Sequence, residues 1–118
     1  MAHPVAMALL ALSLNSTPPE PPSHEAADLK VIRQNTSQVQ GCYERARAKS
    51  SRTQGEVIVE WDITTWGGVD KARVTSNTTG DKELADCLLQ AVKTWQFEAR
   101  ESDAPTHMSH PFRLLVAQ

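Results

Sequence analysis

Two cysteines, Cys42 and Cys87, constrain this chain more than any other feature. They flank the one clear strand–turn–strand pattern, and each sits on a stripe with helical spacing. That placement suits a single covalent staple joining two helices across a small sheet. Closing a loop of about 45 residues stabilises a fold by roughly 4 kcal/mol if the bridge acts through chain entropy. Typical total stabilities are ~5–15 kcal/mol, so the contribution would be large. A bridge of this kind implies an oxidising compartment. Two other readings of the pair stay open. Buried, unpaired thiols behave as small apolar residues. A redox-active pair is the third reading, although the C-x-x-C spacing that lowers a thiol pKa is absent.

The chain has 118 residues, enough for one domain with a modest core. Its first part reads differently from the rest. Val5 to Leu14 is an apolar run, shorter than the roughly 20 residues of a membrane span but of signal-peptide length. No basic residue precedes it, so it is an atypical export leader, a truncated anchor or a remnant unrelated to the fold. Pro18, Pro19, Pro21 and Pro22 then form an extended linker, because proline cannot occupy a helix or sheet interior. Residues 1–22 are thus a leader and linker, and 23–118 form the expected folded domain.

Ser23 is the expected helix cap. Leu29, Ile32, Thr36, Val39, Tyr43 and Ala46 follow at spacings of three and four, one face of an amphipathic helix. The period then changes to two. Val57, Val59, Trp61 and Ile63 alternate with Ile58, Glu60, Asp62 and Thr64, which predicts a half-buried strand. Thr65-Trp66-Gly67-Gly68 is a hairpin turn, its glycines supplying positive φ. The return strand runs from Val69 to about Asn77, with Ala72 and Val74 inward. Asp81 caps a second helix carrying Leu84, Leu88, Ala91, Val92 and Trp95, and a last strand spans about Met108 to Val116. Pro111 lacks an amide donor, so this part of the strand should lie on a sheet edge or before regular pairing begins. Helix, strand, strand, helix, strand is an α+β order. It implies two helices packed on a small three-stranded antiparallel sheet.

Candidates for chemistry are few. The formal net charge of −2 gives no reason to expect nucleic acid. The basic residues from Lys30 to Arg52, diluted by Asp28 and Glu44, read as a solvated helix face. His107 and His110 have H-x-x-H spacing, but two imidazoles make a weak metal site. There is no nucleophile motif and no phosphate loop. The reading is therefore a non-enzymatic protein without a cofactor. Asn35-Thr-Ser and two other sequons occur, Asn35 inside the predicted helix. Trp61 and Trp95 belong to core stripes. Trp66, at a hairpin tip, is a partner anchor, a ring that dips into a membrane interface, or a ring folded back over the sheet edge.

Taken in order, Gly41-Cys42-Tyr43-Glu44, Gly55-x-Val57-x-Val59, Gly68, Val74, Leu84-x-x-Cys87, Trp95-x-Phe97 and Pro111-Phe112 resemble the TonB C-terminal-like domains of bacteria. They are most similar to the branch called the AgmX/PglI C-terminal domain. The resemblance covers about Lys30 to Leu115. It departs at Glu98, where relatives often carry proline, and in the short apolar run, since energy-transducing members have a spanning helix and a long linker. The resemblance implies a periplasmic or secreted interaction module that takes up a segment of an envelope or outer-membrane protein by strand addition. Trp66, Phe112, Leu114 and Val116 are the partner-binding candidates, with the last strand as the accepting edge. A subunit that self-pairs into a homodimer through its sheet edges, or a histidine-based metal protein, are the competing expectations.

Overall fold

The structure is a computed structural model, and it describes residues 24–101 and 103–116. The leader, the proline linker and the cap expected at Ser23 lie outside the described residues. Six elements follow in order: α1 (Glu25–Gln34), α2 (Thr36–Lys49), β1 (Gly55–Ile63), β2 (Val69–Asn77), α3 (Lys82–Val92) and β3 (Thr106–Leu114). The three strands form one antiparallel sheet in the order β2-β1-β3. This is the α+β layer expected from the alternation of periods. Among the described residues, no helix is long and apolar enough to cross a membrane.

The first helical stripe differs in one respect. It divides at Asn35 into α1 and α2. The Asn35 amide Nδ2 donates to the Val31 carbonyl at 2.8 Å, and the Thr36 hydroxyl donates to Arg33 O at 2.8 Å. Short polar side chains that bond the backbone locally compete with helical hydrogen bonds. Two such residues in succession turn the chain without ending the apolar face. Later boundaries shift by a turn or less. α3 stops at Val92, so Trp95 follows the helix while remaining buried, and β3 begins at Thr106.

β1 carries the core. Val57, Val59, Trp61 and Ile63 are all 0% exposed. Burying each such side chain contributes about 1.5–3 kcal/mol, so the period-two pattern of one strand accounts for much of the packing energy. The Trp61 ring meets Trp95 edge-on at 6.2 Å between centroids and Phe97 at 6.0 Å. Trp95 meets Phe112 of β3 at 6.1 Å, and its indole N–H donates to Gln38 of α2 at 2.9 Å. That single ring therefore touches both layers. The Asp81 carboxylate accepts the Leu84 N–H at 3.0 Å, capping α3 as expected.

The disulfide joins the two helices of this layer. Cys42 on α2 and Cys87 on α3 are bonded, 45 residues apart in sequence, with Cα atoms 5.7 Å apart. Beside it the Lys49 amine is held above its usual range by a hydrogen bond to Glu83, which closes the same α2–α3 seam at the surface.

Candidate functional site

Register decides which backbone groups the sheet offers to a partner. The Glu56 carbonyl accepts the Thr78 N–H at 2.9 Å, so the even-numbered residues of β1 turn their backbone toward β2. Odd-numbered residues therefore face β3. Their partners there are even-numbered: Gly55 opposite Leu114, Val57 opposite Phe112, Val59 opposite His110. It follows that His107, Ser109, Pro111 and Arg113 turn their backbone to the open edge. Pro111 is tolerated there because its missing N–H costs the internal ladder nothing.

The two sheet edges are unequal. The β1–β3 register is continuous from Gly55–Leu114 to Ile63–Thr106. The β1–β2 register slips twice, each time with the extra residue on β2, and Lys71 adopts φ 54° at the second slip. Bulges and exposed cations such as Lys71 and Arg73 are ways of blunting an edge. The β3 edge has no bulge, although it carries exposed Arg113 and, at Pro111, one position without an N–H donor.

A groove of about 340 Å³ runs beside that edge. Leu29, Ile32, Thr36 and Val39 line its α1–α2 side. His110, Phe112 and Leu114 line the β3 side, with Arg33 and Arg113 exposed at its rim. Phe112 and Leu114, expected as partner contacts, point into the core at 6% and 5% exposure. Their rings and methyls are therefore turned away from solvent and help to floor the groove. Val116, half-buried, lies beyond the end of β3.

Trp66 is 83% exposed, yet the turn that carries it is pinned. Phe97 N–H donates to Gly67 O at 2.8 Å, Arg100 N–H to Thr65 O at 2.8 Å, and the Gln96 amide to Trp66 O at 3.0 Å. The turn and the strap after α3 thus hold one another while the indole faces solvent. Gly67 alone of the two turn glycines has positive φ, 90°, and a Cβ there would run into the Phe97 carbonyl.

The H-x-x-H spacing falls on a strand, so its two rings lie on opposite faces. His107 lies on the open face, 3.1 Å from both Glu60 and Asp62. His110 packs on Phe112 with ring centroids 4.8 Å apart, and this burial pushes its imidazole below the usual range. The two cannot share an ion. Among the described residues, no group of three or more His, Cys, Asp or Glu is arranged to hold a metal.

The family model for the Gram-negative bacterial TonB protein C-terminal matches residues 46–114, more than half of the chain. The chain belongs to the TonB C-terminal family. No curated protein and no solved structure matches it. The TonB C-terminal match takes in the whole sheet, α3 and the strap, and it begins just after the Cys42 end of the disulfide. Membership points to a protein-interaction module of the Gram-negative envelope.

Three residues that organise this TonB C-terminal domain escape a reading of the sequence. Asp28 belongs, by charge pattern, to a solvated face. The structure buries it against Arg100, which also has no sequence signal. Arg45 was legible in principle: three residues after Cys42 on a helix, it shares that cysteine's face, and its guanidinium reaches Cys87 Sγ at 2.9 Å.

Proposed function

We propose that this domain is a non-enzymatic module of the periplasm that binds an extended segment of an envelope or outer-membrane protein by adding it as a fourth strand beside β3. The observation that carries the reading is the bulge-free edge of β3, which lacks a donor only at Pro111, next to an apolar groove. Outward N–H groups of His107, Ser109 and Arg113 donate to the incoming strand, and the carbonyls of these residues and of Pro111 accept. Side chains of an added strand alternate between faces. Those on the helix side enter the groove over Phe112 and Leu114, so the preferred segment alternates apolar residues. Ile63 pairs with Thr106, which puts the Trp66 turn at the starting end of β3, where a longer partner reaches it. Among members of the family, the AgmX/PglI branch is the favoured relative. Gly41-Cys42-Tyr43-Glu44 and Leu84-x-x-Cys87, the strings most similar to it, meet at the disulfide. A disulfide also suits an exported domain.

The test compares the full chain with its Ser109→Pro variant as baits in Gram-negative envelope extract. Ser109 N–H faces the open edge, so its removal leaves the internal ladder intact, and a melting curve checks that. An envelope protein retained by the parent and lost by the variant supports strand addition. Equal retention by a well-folded variant overturns it, and concentration-dependent sedimentation of the parent alone would favour self-pairing through the same edge.

A further inference from the structure

The Cys42–Cys87 bridge is placed for chemistry as well as for stability. Two surface depressions, of about 310 Å³ and 490 Å³, flank it, and both are lined by Cys42, Arg45 and Cys87. Cys42 is buried at 4% exposure, whereas Cys87 is half-buried. The two sulfurs therefore differ in access, and a reagent entering from solvent reaches Cys87 first. The Arg45 guanidinium lies over both: Nη2 is 2.9 Å from Cys87 Sγ and 3.9 Å from Cys42 Sγ. A disulfide sulfur is neutral and needs no cation. A thiolate released from it is charged, and an adjacent arginine stabilises that charge.

We infer that Cys87, with Arg45 as its positioning residue, is a thiol–disulfide exchange site for a dithiol reductant. A thiolate of the dithiol attacks Cys87 Sγ. The S–S bond breaks, and its electron pair leaves on Cys42 Sγ, within reach of Arg45. The second thiol of the reductant, as thiolate, then attacks the reductant sulfur bonded to Cys87 and expels Cys87 as a thiolate beside Nη2. The dithiol ends as a disulfide, two electrons pass to the protein, and the two thiol protons go to the cysteines or to solvent. Arg45 supplies here what a C-x-x-C motif would otherwise provide, a low-energy leaving thiolate.

The probe is dithiothreitol, added to the oxidised full chain under native conditions, with free thiols alkylated and counted by mass spectrometry over time. The expected rate is proportional to dithiothreitol concentration. Arg45→Met should slow it about tenfold by raising the leaving-thiol pKa, and Arg45→Lys should restore most of the loss. Melting curves of the oxidised variants verify that the fold is retained. Equal rates for the parent and Arg45→Met overturn the assignment, as does a lysine variant as slow as the methionine one. So does a rate independent of dithiothreitol, which means that reduction waits on global unfolding.

Discussion

Arg100 holds Asp28 across 72 residues of sequence in a pair almost shut off from solvent, at 7% and 3% exposure. Both terminal guanidinium nitrogens take part, Nη1 lying 3.2 Å from one carboxylate oxygen and Nη2 closer to the other. The pair fastens the strap after α3 to α1, and through Arg100 N–H the strap fastens the hairpin turn at Thr65. Removing one partner strands a buried charge. Arg100→Met or Asp28→Asn should cost about 3–5 kcal/mol. The double replacement Asp28→Leu with Arg100→Met should recover much of the loss, because an apolar pair carries no desolvation penalty. Urea denaturation of the three variants checks both statements; equal losses in single and double variants would contradict them.

The two turn glycines should answer differently to alanine. Gly67 has φ 90° and faces the Phe97 carbonyl, so Gly67→Ala must adopt a strained backbone and displace the strap. A loss of about 2–3 kcal/mol is expected. At Gly68 a Cβ would meet only the Thr64 hydroxyl, at 3.5 Å, an ordinary contact. Gly68→Ala should therefore change stability by less than about 1 kcal/mol. Melting temperatures of the two variants give the comparison directly.

Sequence order alone carries the parts of this fold that depend on short-range period. The alternation from Val57 to Ile63 gives β1 and its buried face, and Asp81 announces the start of α3. The two cysteines mark the α2–α3 seam because each lies on a helical stripe. Asn35 is harder to read, since the apolar spacing continues through the break and only the local bonds of Asn35 and Thr36 reveal it. Asp28 and Arg100 are out of reach for another reason: a pairing over 72 residues has no period. The candidate edge falls between these cases. Pro111 signals an edge strand, but which backbone groups face outward follows only from the register with β1. The side chains of Phe112 and Leu114 read as apolar on one face, and only the packed structure shows that this face is the core.

Loss of the disulfide should be expensive but survivable. Its closed loop spans a sequence separation of 45 residues. Replacing both cysteines with alanine should lower stability by about 4 kcal/mol if the bridge acts through the entropy of the unfolded chain. The core around Trp61 remains, so a cooperative transition should persist at a lower denaturant midpoint. The parent treated with reductant should move to nearly the same midpoint. A midpoint unchanged by either treatment would show that the α2–α3 seam is held by packing and the Lys49–Glu83 pair alone.

Acid should weaken the fold through His110. Burial beside Phe112 lowers its imidazole below the usual range, with the rim cations Arg33 and Arg113 lining the same groove. In the unfolded chain the ring takes up a proton near pH ~6.5. Between that value and the lower folded one, the unfolded state binds more protons, so stability rises with pH across this window. The contribution of the neutral ring is fully present above about pH 6.5, and it is lost as pH falls through the folded value. Below that point His110 adds no further slope. His107 and His24 sit beside carboxylates and do not share this apolar setting. His110→Asn removes one titrating group and leaves those pairs in place. Urea midpoints from about pH 7.5 to 5 should fall more steeply for the parent than for the asparagine variant. Parallel curves would mean that His110 takes up its proton in the folded state as readily as in the unfolded chain.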